Sequence, residues 1–221
     1  QGIYTQELSK ETSEKLWEYY EKYCRLNKEM RGFAWIAPAL DQSQGFSAKL
    51  EQIVRKHTTA ESSKVYEYVV ALTQPVKQTR LKQQEIALLK LACEVEKNED
   101  LRNLFAQSVK QIQQKIISFS SFVEKFDKHV HEFEWLPCGY ESPAWTREHF
   151  LEELKTMLEK NPQKQLQAEE KTTACKKQAK EKAVKELKLT QQEKRLFDVA
   201  AEIMFFKADR KDLLFQSYYH V

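Results

Sequence analysis

The chain has 221 residues, 41% of them hydrophobic and 31% charged, with a mean hydropathy of −0.69. That balance supports a sizeable core under a water-facing surface, and it leaves no apolar run long enough to span a bilayer. The 36 basic and 33 acidic residues leave a net charge of only +3, too small a bias to point to nucleic acid.

The polar, mixed-charge N-terminal residues carry no signature of a secretory signal, and a cytoplasmic setting is expected. Cys24, Cys93, Cys138 and Cys175 are dispersed without a CxxC pair, so free thiols are expected and no zinc spacing is present. Only four glycines occur. Neither a GxGxxG turn nor a Gly-Lys-Ser/Thr phosphate loop can be assembled from them.

Ser9 is a good N-cap, and a first helix is predicted from there to about Met30. Leu16, Tyr20, Tyr23 and Asn27 share one face of it, with Tyr19 and Leu26 beside them. A break follows, where Gly32 and Gly45 bracket Phe33-Ala34-Trp35-Ile36-Ala37-Pro38. Ser47 is placed to cap a second helix with Leu50, Ile53 and Val54. His57-Thr58-Thr59 interrupts the pattern before Val65, Val69 and Leu72, and Pro75 stops it.

Residues 80–97 form the next helical pattern, with Ile86, Leu89 and Cys93 as its stripe. From Asn98 to about Asp127, apolar residues recur at three and four: Leu101, Leu104, Phe105, Ile112, Ile116, Phe119, Val123 and Phe126. This spacing predicts one central core helix, with Glu99 and Asp100 favourable in its first turn. A second aromatic break, Glu132-Phe133-Glu134-Trp135-Leu136-Pro137-Cys138-Gly139, precedes a helix capped by Thr146. Residues 161–188 are rich in Lys, Gln, Glu and Ala, which propagate a solvated helix or a hinge. Thr190-Gln191-Gln192-Glu193 fits a capping box for a final helix carrying Leu196, Phe197, Ala200, Ile203 and Met204. No strand-like alternation appears. The fold class is all-α: one helical domain over residues 1–221, a bundle of about six to eight helices with two irregular aromatic loops. Phe33-x-Trp35-Ile36 and Phe133-x-Trp135-Leu136, each followed by a capped helix, form a weak internal echo.

Titratable and aromatic residues are densest from Asp127 to Trp135. His129 and His131 diverge on a helix and converge only in extended chain. They either cap a helix C-terminus or, with Glu132 or Glu134, bind a ligand or a metal or shuttle protons, because imidazole titrates near neutrality. Trp35, Trp135, Tyr140 and Trp145 either plug bundle ends or stack on a planar ligand; the acids around Trp135 suit a mixed polar and apolar pocket. Arg210 and Lys211 either hold a phosphate or carboxylate, or sit at a solvated helix end. The candidate ligand-binding set is therefore Trp35, His129, His131, Glu132, Trp135, Tyr140, Arg210 and Lys211, with no catalytic residue and no metal ligand in it. The basic residues from Lys171 to Lys188 alternate with acids and lack aromatics, a solvated face.

Three segments carry a resemblance. Ala71-Leu72-Thr73-Gln74-Pro75 followed by Glu85-Ile86-Ala87-Leu88-Leu89-Lys90-Leu91-Ala92 is one. Phe133-Glu134-Trp135-Leu136-Pro137-Cys138-Gly139-Tyr140-Glu141 is another. Phe197-x-x-Ala200-x-x-Ile203-x-x-Phe206-x-x-x-Arg210-Lys211-Asp212 is the third. Together they resemble the helical middle region of phosphoenolpyruvate-synthase-like, PEP-utilising phosphotransferases. The resemblance implies an ATP-grasp domain and a swivelling phosphohistidine domain as partners, with ATP and Mg²⁺ confined to those domains. It implies that this region binds the acceptor, a small molecule such as pyruvate or an antibiotic hydroxyl. The family's Thr-Ser/Ala-His motif and Gly-rich nucleotide loop do not occur here. The expectation is a substrate-binding domain that is not catalytic in isolation, without nucleic-acid or membrane partners. The rival expectation is a helical scaffold that docks a protein.

Overall fold

The computed structural model describes residues 10–34, 45–140 and 143–219, apart from the side chains of 30–34, 139–140 and several beyond Lys207. The described residues form ten α-helices and no strands. The class is all-α, and the helix count corrects the expected six to eight. Two compact units are distinguished. The first takes residues up to Gln74 together with Ala183–Arg210, and the second takes Pro75–Lys182 with Lys211–Tyr219.

In the first unit, α1 spans Ser13–Ala34, α2 Gly45–His57 and α3 Ser62–Thr73. The cap of α1 is Thr12, whose hydroxyl accepts from Lys15 N at 3.4 Å. Ser9 lies outside the described residues, and Gly32 falls within α1. Ser47, expected as a cap, sits inside α2, which begins two residues earlier. Leu50, Ile53 and Val54 of α2 pack with Val65 and Leu72 of α3. Two further helices, α9 (Pro162–Leu187) and α10 (Gln191–Tyr219), complete this core through Ala183 and Leu187 of the former and Phe197 and Ala200 of the latter.

The turn between them is built by two local devices. Lys188 takes a left-handed conformation (φ 50°) that ends α9. The expected capping box then starts α10. Thr190 N donates to Glu193 Oε2 at 2.9 Å, and Glu193 N donates to Thr190 Oγ1 at 3.3 Å. His57 Nε2 lies 3.1 Å from the same carboxylate. The backbone N–H of Thr190, then His57, hold the Glu193 carboxyl down to about 2. Thr190→Ala should cost about 1 kcal/mol, read as a lower urea midpoint; an unchanged midpoint would show that the box contributes nothing.

The second unit is organised around α4 (Arg80–Lys97), which buries Leu88, Leu91, Ala92 and Val95. Residues 98–127, expected as one helix, form three: α5 (Glu99–Phe105), α6 (Val109–Lys115) and, after a 3-10 turn at Ile116–Ser118, α7 (Ser120–Phe133). Serines make the breaks. At the first, Gln111 Oε1 accepts from Ser108 N at 3.1 Å and restarts the helix. At the second, Ser118 Oγ donates to Lys115 O at 2.9 Å, and Phe119 leaves helical geometry at φ −106°, ψ 62°. Each short helix still turns its apolar face inward, which is why the periodicity ran on through the breaks. α8 (Arg147–Glu159), capped by Thr146 as expected, adds Phe150, Leu151 and Leu154 against α4.

Candidate functional site

The expected site lies at the end of α7. Phe122, Phe126, His129 and Phe133 are its buried residues, at spacings of four, three and four. His129 therefore occupies a core position on the apolar face. It is 4% exposed, with the Phe133 ring 4.9 Å away and Phe150 edge-on at 5.2 Å. Its Nε2 has no hydrogen-bond partner among the described residues. Burial pushes its pKa down to about 4, so the ring is neutral at physiological pH.

Trp135 is 1% exposed, and its indole N–H donates to the Glu132 backbone carbonyl at 2.7 Å. That bond satisfies the one polar atom of the ring, and the indole lies in the core cluster with Phe133, Leu136 and Phe150. Glu132 and His131 face outward, and His131 Nδ1 lies 3.7 Å from Glu134. The four candidates with described side chains thus divide, two into the core and two toward solvent. Trp35 lies outside the described residues. Tyr140 belongs to a 3-10 turn (Leu136–Tyr140) and Arg210 and Lys211 to α10, with side chains outside the description.

Two residues not singled out as ligands join His129. Trp145 stacks on His149 (4.8 Å, 21°) and meets Phe150 edge-on at 5.7 Å. His149 Nε2 has no hydrogen bond among the described residues, the nearest carboxylate, Glu153, being 3.9 Å away. Two imidazoles in an aromatic frame are packing groups here, and no cluster of three metal-ligating side chains occurs among the described residues.

A concave site lies elsewhere, in the first unit. A cleft of about 710 Å³ opens between α2, α3 and α10. Phe46 and Leu50 form one wall, Tyr66, Val69 and Val70 a second, and Ala200, Ile203 and Met204 a third. Ser47, Glu51, Ser62 and Thr73 supply its polar groups. Glu51 is held by Arg55 (2.7 Å), which also reaches Ser62 Oγ (3.2 Å), so a charged pair sits beside the cleft. Thr73 Oγ1 donates to Val69 O at 2.8 Å. Large apolar walls with few polar groups, at this volume, suit an apolar molecule bearing hydroxyls.

The signal for this cleft was present in the sequence. Tyr66, Val69, Val70 and Thr73 recur at three and four along α3, next to the core stripe of Val65 and Leu72. Together they make an apolar face wider than one neighbour could cover. Among the described residues no helix is long and apolar enough to cross a membrane. Set against family models, curated proteins and solved structures, the chain matches none of them.

Proposed function

We propose that this chain is the acceptor-binding helical region of a phosphoenolpyruvate-synthase-like phosphotransferase, not catalytic by itself, and that the cleft of the first unit holds the acceptor. The cleft is the observation that carries this reading: it is concave, of small-molecule size and walled by apolar side chains. The segments that carry the resemblance also contribute to it. Thr73, Ala200 and Ile203 line the cleft, while Leu72 and Phe197 pack in the core of the same unit. Apolar walls would exclude water from an acceptor hydroxyl, which matters for a group transfer that hydrolysis competes with. Phosphate donation, with ATP and Mg²⁺, belongs on this reading to partner domains.

The chain contains only three methionines, and Met204 lines the cleft whereas Met157 packs in the second unit. With methyl-labelled methionine, 8-anilinonaphthalene-1-sulfonate should shift the Met204 resonance and leave Met157 in place. Val70→Trp, which fills the cleft from its rim, should weaken that shift by about tenfold in probe concentration, one large side chain's worth of contact. Hydroxylated aromatic compounds and pyruvate can then be ranked by competition. A Met204 signal indifferent to every probe sinks the proposal.

A further inference from the structure

The cleft of the first unit has a charged end and an apolar length. α2 and α3 are joined by residues 58–61 and pack on each other. Arg55 Nη2 reaches Ser62 Oγ at 3.2 Å, so the end of α2 meets the start of α3. This hairpin gathers Glu51 and Ser62 at one end of the cleft and Ser47 and Thr73 at the other, the length of α3 apart, about 16 Å. Tyr66, Val69 and Val70 lie between them. Tyr66, one turn beyond Ser62 on the same face, is 70% exposed and stands at the rim. Among the described lining residues, Glu51 is the one that carries a charge at neutral pH. Arg55 holds a single oxygen of it: Nε and Nη2 both donate to Oε1, at 2.9 and 2.7 Å. Glu51 Oε2 accepts no hydrogen bond among the described residues, and the side chain is 49% exposed. Residues 35–44, which lead into α2, include Asp41 and no Lys, Arg or His. On α10, Lys207 comes a turn after Ile203 and is outside the lining.

We infer that the cleft selects a cationic amphiphile, an organic amine whose apolar body lies along α3 and whose ammonium group meets Glu51 Oε2. The inference rests on the cleft being the ligand site, and it names the class of acceptor. An ammonium group at the charged end has two favourable neighbours, the carboxylate oxygen and the face of the Tyr66 ring. Apolar walls on three sides reduce the screening by water and strengthen both contacts. Arg55 tempers the attraction without cancelling it, because its guanidinium is tied to Oε1 and to Ser62 Oγ. An anion fares worse. A carboxylate in the cleft would face Glu51 with no base in the described lining to pair with. The acceptor on this reading is an amino alcohol rather than pyruvate, with Ser47 and Thr73 supplying hydroxyl oxygens at the far end.

Three probes of similar length test it on the full chain through the Met204 methyl signal: 4-phenylbutylamine, 4-phenylbutanol and 5-phenylpentanoate. The amine should bind about fivefold tighter than the alcohol, and the carboxylate more weakly than either. Glu51→Gln should bring the amine down to the level of the alcohol and leave the alcohol and 8-anilinonaphthalene-1-sulfonate no weaker. Glu51→Lys should invert the order, so that the carboxylate binds best. Circular dichroism should be unchanged in both variants, since the pair they disrupt is exposed. Amine and alcohol binding alike, or an order that neither variant alters, overturns the inference and leaves the cleft reading standing. A Met204 signal that moves with none of the probes, 8-anilinonaphthalene-1-sulfonate included, overturns both.

Discussion

Trp135→Ala should destabilise the second unit by about 3–5 kcal/mol, the scale of removing a fully buried aromatic from a core that cannot collapse around the gap. The indole is 1% exposed and belongs to the cluster of Phe126, Phe133, Leu136 and Phe150. The change also strips the Glu132 carbonyl of its 2.7 Å donor. Trp135→Phe, which keeps most of the volume and loses the hydrogen bond, should cost less than half as much. Urea unfolding followed by circular dichroism reads both. An alanine variant within about 1 kcal/mol of the parent chain, the range of a surface substitution, would contradict the core assignment.

Acid should weaken the same unit through His129. The ring is held near 4 in the folded chain against an ordinary 6.5. Below pH 6.5 the unfolded chain therefore takes up a proton that the folded one refuses. Stability is fully present above 6.5, declines as pH falls, and is lost in full once pH passes below 4. The difference amounts to roughly 3 kcal/mol at most. His129→Leu, of similar volume, should flatten the profile in that window and cost little at pH 7, because the Nε2 that it removes has no partner. Glu193 acts lower and in the other unit. Its carboxyl is depressed from 4.5 to about 2, so its contribution is present above 4.5 and fades as pH falls toward 2. The leucine variant should keep that lower limb. Should it keep the upper limb as well, His129 is not the titrating group.

Local chemistry was legible at several helix ends. Thr146 caps α8, the Thr190–Glu193 box starts α10, Pro75 lies just past α3, and α4 covers residues 80–97 as its stripe predicts. Pro162–Leu187 form a helix because Ala, Lys, Gln and Glu favour one, with Pro162 at its first position. Periodicity misled at 98–127, where it reports which face is buried and is blind to the serines that divide the run.

The candidate site was less legible, because sequence neighbourhood is not spatial company. His129 and Glu132, three apart on one helix end, face the core and the solvent. Residue type alone made them partners. Their roles follow from the register of α7, in which His129 falls in line with Phe122, Phe126 and Phe133. The cleft gathers side chains from α2, α3 and α10, up to 158 positions apart from Phe46 to Met204. By itself the sequence determined the all-α class, the caps of α8 and α10 and the amphipathic character of the core helices, since these depend on contacts within a few residues. Only the tertiary structure decided which aromatic is a core plug, which apolar face is buried and which is left open. Burial is set by whatever packs across from a residue, and that neighbour comes from a distant part of the chain.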